Sequence, residues 1–249
     1  LEKPIEMSPN VFMHGYPLNR AIWRHQERLE GLDVITPDFP GFGQTPLISI
    51  DSLDDYADWA IREIESSGHR RAIWVGHSMG GYVALAMARR RADRMAALVL
   101  VCTQARADTE DVRLNRLNGA DRALREGVAF IAESMAPKLV SPDADPSLIK
   151  DIGQIISSTS PDAVAQAQRA MASRRDQRDF LSSITMPVLI CYGRNDQLFD
   201  SNRASEMADV IPGARLEEFP SSGHMAMMEE PQRFNRVLTD FIQSLPFRD

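Results

Sequence analysis

Gly76-His77-Ser78-Met79-Gly80 stands between an apolar strand-like run, Ala72-Ile73-Trp74-Val75, and a helix-like run from Tyr82 to Met87. That placement restricts the fold more than any other stretch of the chain. A strand that turns at once into a helix holds its pivot residue in a strained backbone conformation. It also leaves no room for side chains where strand and helix close together. Gly76 and Gly80 supply the missing Cβ atoms, and Ser78 takes the pivot with its hydroxyl at the tip. The helix that begins behind the serine offers unpaired N–H groups and partial positive charge, where an anionic intermediate would form.

Strand-like and helix-like segments alternate around this turn. Val11–Met13, Val34–Thr36, Ala97–Val101, Pro187–Tyr192 and Arg215–Phe219 read as further strands. Helices are predicted over Asn19–Leu29 with Asn19 as N-cap, Leu53–Ile64, Ser201–Ile211 and Pro231–Leu245. Several strand runs are continuously apolar, which suits a parallel sheet covered on both faces. From Gln104 to Ser183 the alternation stops. That stretch is polar and helical, divided by Pro137, Pro142, Pro146 and Pro161. The reading is an α/β fold, a mostly parallel doubly wound sheet with a helical cap inserted between strands. Residues 1–103 and 184–249 form its core, and residues 104–183 the cap.

A chain of 249 residues holds one large α/β domain, and a net charge of −7 makes nucleic acid a poor partner. No apolar stretch approaches the roughly 20 residues that span a bilayer, so no membrane partner is expected. The first ten residues show neither a basic start nor an apolar signal core. Cys102 and Cys191 lie in apolar strand-like runs and read as buried free thiols of a reducing compartment, hence a cytoplasmic location. Neither has metal-site spacing, and no metal or other cofactor is expected.

A serine hydroxyl needs a general base within hydrogen-bond reach. Among the five histidines, His25 and His69 read as surface residues, and His77 as a packing or hydrogen-bonding residue of the elbow. His14 ends the first strand. His224, in Ser221-Ser222-Gly223-His224-Met225, follows the last strand, where parallel topology gathers strand ends into one crevice. It is the candidate base. The acid that orients it is expected to be Asp196, after the preceding strand; Asp200, one helical turn further on, is the rival.

These pieces resemble an α/β-hydrolase of the lid-bearing serine esterase and lactonase group. The likeness rests on His14-Gly15-Tyr16-Pro17, Asp38-Phe39-Pro40-Gly41-Phe42-Gly43, Gly76 to Gly81, Gly193 to Asp196 and Gly223-His224, in family order. It implies an oxyanion hole made by the backbone N–H groups of Tyr16 and Met79. Both amides would lie at C-terminal strand ends facing one crevice, and Pro17 has no N–H to offer. Relatives usually carry two more strands before the His-Gly strand. Only ten residues precede Val11, so that edge hairpin is expected to be reduced or missing, or the chain to begin inside a longer one.

Met79, Met225, Met227 and Met228 cluster in sequence around nucleophile and base, either as an adaptable apolar pocket or as core filling. Tyr16 and Trp23 form pocket walls or simply pack; His14, Trp23 and Met225 are the candidate pocket residues. Acidic and basic residues nearly balance in the cap. Arg113, Arg116, Arg122 and Arg125 could put a local cation at the crevice mouth, though a solvated helix face accounts for them more simply. Residues 169–181 faintly resemble enol-lactonases. The expected activity is cleavage of small carboxylic esters through an acyl-enzyme, with lactones or carbon–carbon bonds as alternatives on the same triad. A ligand sensor with a retained triad is the reading from another class. The expected partner is a small-molecule ester or lactone.

Overall fold

The computed structural model describes residues 8–246. Its strands are β1 (Asn10–Met13), β2 (Val34–Ile35), β3 (Ala72–His77), β4 (Met95–Val101), β5 (Val188–Gly193) and β6 (Arg215–Phe219). Among the described residues they form one sheet in the order β2-β1-β3-β4-β5-β6, and every neighbouring pair is parallel. β1, β3 and β4 are buried along their whole length, which is why their sequences show no polar alternation. The edge hairpin expected to be reduced or missing would fall in residues 1–7, outside the described residues.

Two helices, α1 (Leu53–Ser66) and α2 (Met79–Arg91), lie on either side of β3 in the chain. Ser52 caps α1 by accepting from the Asp55 N–H, and Asp54 and Asp55 place negative charge on its positive end. Between β4 and β5 run α3 (Glu110–Glu126), α4 (Ala129–Met135), α5 (Pro146–Ser157), α6 (Pro161–Ala172) and a 3-10 turn at Arg178–Ser183. Pro146 and Pro161 open α5 and α6 behind the N-caps Asp145 and Ser160, where a missing N–H costs nothing. After β5 come α7 (Ser201–Val210), then α8 (Ala226–Glu229) and α9 (Pro231–Gln243) beyond β6. No helix among the described residues is long and apolar enough to cross a membrane.

One predicted helix is not formed. Asn19 caps as expected, accepting from the Ala21 N–H, but only Arg20–Trp23 is helical, as a single 3-10 turn. Residues Arg24 to Arg28 are polar and offer no apolar stripe to bury, so nothing extends the turn. Gln26 is instead drawn into the core, where its amide donates to the Met227 carbonyl and to Asn235 Oδ1.

The chain leaves β1 for β2 on one side and returns through α1 to β3 on the other, so strand order reverses between β1 and β3. Open α/β sheets bind ligands in the crevice outside the C-terminal strand ends at such a point. Gly15 and Tyr16 follow β1, and Ser78 follows β3. The topology therefore delivers both segments to one place.

Candidate active site

Ser78 has φ 51 and ψ −110, a left-handed conformation that costs a side-chain-bearing residue about 1–3 kcal/mol. Crowding around it explains both flanking glycines. A Cβ on Gly76 would run into the Gly80 backbone, and one on Gly80 into the Met13 and His14 carbonyls. Ser78 N–H donates to the Val101 carbonyl at 2.9 Å, and the Ser78 carbonyl accepts from Thr103 Oγ1 at 2.8 Å and from the Gly81 and Tyr82 N–H groups at 2.9 and 3.2 Å. Ser78 is partly exposed and lines a cavity of about 660 Å³.

His224 is buried, and its Nδ1 lies 2.7 Å from Asp196 Oδ2, whose side chain is also buried. Asp196 Oδ1 accepts from the N–H groups of Leu198 and Phe199 at 2.8 and 3.1 Å. Three donors thus surround the carboxylate, which keeps Nδ1 protonated and leaves Nε2 as the acceptor atom of the neutral ring. Nε2 is shielded from solvent and has no hydrogen-bond partner among the described residues. No bond yet joins it to Ser78. In ligand-free active sites such bonds are often long and tighten only around substrate. Asp200 lies elsewhere: it is exposed and caps α7 by accepting from the Asn202 N–H.

The imidazole of His77 links the Ser78 turn to the His224 loop. Its Nε2–H donates to the His224 carbonyl at 2.9 Å, and the two rings meet edge to face at 4.9 Å. Glu229 braces the same loop from the other end, accepting from Gly223 N–H, Met225 N–H and, across the inserted helices, Ser141 N–H. Phe199 packs on the His224 ring at 5.3 Å. Neither Glu229 nor Phe199 is marked by any motif. Phe199, three residues past Asp196, could have been suspected from that position alone.

Tyr16 and Met79 sit beside the serine, and their backbone N–H groups donate to no acceptor among the described residues. Met79 is the first residue of α2, where an intrahelical partner is geometrically impossible. Tyr16 also lines the cavity, and its hydroxyl accepts from Gln168 Nε2 of α6 at 2.8 Å. The other pocket expectations are corrected. Trp23 is fully buried between Phe12, His77 and Phe234. Met225 and Met227 fill the core, and the sulfur atoms at the cavity wall come from Met135 and Met171 of the inserted helices. His14 is likewise buried, against Phe39 and Phe42; it donates through Nδ1 to Gly15 and accepts through Nε2 from the Phe39 N–H. Of the four arginines expected at the crevice mouth, Arg116 lines the cavity, whereas Arg113 and Arg122 pair on the surface with Glu110 and Glu126.

Burial lowers the pKa of His14 from 6.5 to about 4 and holds His77 well below its ordinary value. Both rings stay neutral in the folded chain and take up protons when it unfolds. Their stabilisation is complete above pH 6.5 and is lost as pH falls toward 4, on the order of 3 kcal/mol for His14. Glu229 works in the opposite direction, since burial raises its pKa. With the histidines dominant, the urea midpoint should fall markedly between about pH 7.5 and about pH 4.5. A midpoint that does not move would contradict this assignment of neutral rings.

Cys102, Asp196 and His224 bring ligand-type atoms within 4.8 Å of one another, the one such group of three among the described residues. It is a poor metal site: Asp196 and His224 are already bonded to each other, and burial pushes the Cys102 thiol up, away from the thiolate a metal requires. The thiol packs beneath the pair, on a backbone with φ 46.

Comparison with known proteins agrees with this architecture. The model of the alpha/beta hydrolase family matches residues 11–237. The chain is 31% identical over 243 residues to the pimeloyl-[acyl-carrier protein] methyl ester esterase of Vibrio vulnificus, covering 93% of this chain and 92% of that one. A malate-bound structure of a thermophilic esterase from Thermogutta terrifontis superposes with a TM-score of 0.92 at 34% identity, over 96% of this chain and 90% of the other. The enol-lactonase of Burkholderia xenovorans shares the fold at a TM-score of 0.87 and 24% identity, over 95% and 92%. With a match that runs from β1 into α9 and relatives alike over nearly their whole length, the chain belongs to the alpha/beta hydrolase family.

Proposed function

We propose that this chain is a serine hydrolase that cleaves carboxylic esters of small substrates through an acyl-enzyme. The observation that carries the reading is the state of His224. Nδ1 is committed to Asp196, and Nε2 is buried without a partner among the described residues, in a loop held by the residue next to Ser78. Ser78 Oγ attacks the ester carbonyl while Nε2 takes its proton. Asp196 stabilises the imidazolium that forms. The free amides of Tyr16 and Met79 receive the oxyanion, each worth about 3 kcal/mol of barrier reduction. The imidazolium then protonates the leaving alcohol, and water repeats the sequence on the acyl-serine.

Residues 104–183 serve as the cap, supplying Val112, Met135 and Met171 to the cavity wall. Esterase relatives at 31 and 34% identity support ester chemistry over other uses of the same residues. The buried free thiols Cys102 and Cys191 fit a reducing compartment such as the cytoplasm.

A fluorophosphonate probe tests nucleophile and activation together. Peptide mapping should find the label on Ser78, and the His224→Ala variant should label far more slowly. Label on another serine, or equal labelling of the variant, would refute the assignment.

A further inference from the structure

The cavity that holds Ser78 is cationic, although the whole chain carries a net charge of −7. Arg106, Arg116, Arg178 and Arg203 line it. Three of them are engaged. Arg116 Nε donates to the buried Asp108 at 2.6 Å, and Asp108 is shared with Arg174, also at 2.6 Å. Arg106 Nε donates to Glu206 at 2.7 Å, and Arg178 pairs with Asp176 at 2.7 Å. The four lining arginines thus face only two lining carboxylates, Asp108 and Asp176.

Arg203 differs from the others. Its backbone N–H bonds Asp200, but among the described residues its guanidinium enters neither a hydrogen bond nor an ion pair. The natural partner one turn along α7 is Glu206, which is taken by Arg106 and approached by Arg178. Arg203 also stands in the first turn of α7, the end of a helix that disfavours a cation. A side chain placed against the helix dipole and left without a counter-ion at a cavity wall is a local conflict of the kind that folds keep for ligands. It lies four residues beyond Phe199, so one short segment carries both the charge and the ring that packs on His224. The wall nearby, Leu198 and Phe199 with Met135 and Met171, is apolar and suits an alkyl chain.

We propose that Arg203 anchors a carboxylate on the substrate, and that the preferred esters carry that carboxylate remote from the scissile bond, as monoesters of dicarboxylic acids do. The proposal rests on the ester-hydrolase reading above and adds to it a substrate class. A guanidinium pairs a carboxylate through two parallel N–H bonds, so the site selects for charge and for orientation together. Arg203 acts here as a specificity determinant and takes no part in the chemical steps.

Steady-state kinetics on monomethyl adipate and dimethyl adipate test it, with the hexanoyl ester of glycolate carrying the charge on the alcohol side. Wild type should favour the monomethyl over the dimethyl ester in kcat/KM. Arg203→Gln should lower that preference by about tenfold, mainly through KM, with Arg203→Lys in between. Arg125→Gln, at an exposed position of α3 away from the cavity, should leave the preference unchanged. A loss on Arg203→Gln that falls on the glycolate ester and spares monomethyl adipate would overturn the remote, acyl-side placement of the carboxylate. An equal preference in wild type and Arg203→Gln overturns the proposal. If dimethyl adipate is hydrolysed in a Ser78-dependent way while that preference does not move, the ester reading stands and only the carboxylate anchor falls.

Discussion

Replacing Ser78 with alanine should lower turnover of an activated short-chain ester by at least about a thousandfold. Alanine keeps the Cβ and therefore the same backbone demand at φ 51, so the elbow itself should persist. The lost hydroxyl makes no hydrogen bond to the His224 ring in the free chain, and its removal should leave the melting temperature nearly unchanged. Residual activity would come from the free amides of Tyr16 and Met79, which still polarise a bound carbonyl. Turnover close to wild type in this variant, with the melting temperature preserved, would rule out Ser78 as the nucleophile.

Asp196→Asn should cost more, about ten-thousandfold in kcat, because the amide can accept hydrogen bonds on only one of its two sides. With its oxygen toward the Leu198 and Phe199 N–H groups, its NH₂ faces His224 Nδ1 and forces the proton onto Nε2, where it blocks uptake from serine. Turned the other way, the amide keeps the imidazole tautomer but sets its NH₂ against two N–H donors. Either arrangement leaves buried groups unpaired, so stability should fall by about 1–3 kcal/mol as well. Asp200→Asn is the matched control, since that side chain caps an exposed helix start, and its kcat should stay within about twofold of wild type. Equal losses in the two variants would mean that Asp196 does not orient His224.

The elements nearest the sheet were the most legible. The runs at Ala72–Val75 and Ala97–Val101 are apolar because both faces of β3 and β4 are covered, and burial on both sides leaves an unbroken signature in one strand. Gly76 and Ser78 form a local motif, since a Cβ on Gly76 would meet the Gly80 and Gly81 backbone, whereas Gly80 is kept small by the distant Met13 and His14 carbonyls. The helix expected over Asn19–Leu29 stops after one turn because its cap signal is local and real, whereas its continuation is overridden by Gln26, which bonds Met227 and Asn235 some 200 positions later.

Residue types and their order along the chain were enough to identify the α/β alternation, the elbow, and the few loops at strand ends from which a nucleophile, a base and an acid could come. Those features follow from steric and hydrophobic rules that act over short stretches. Which side chains face the cavity was decided by packing between distant segments. Trp23 and Met225 go to the core; Met135, Met171 and Phe199 come to the wall; Glu206 pairs with Arg106, and Arg203 has no counter-ion among the described residues. Such outcomes depend on which groups compete for one partner in three dimensions, and that competition has no counterpart in a linear pattern.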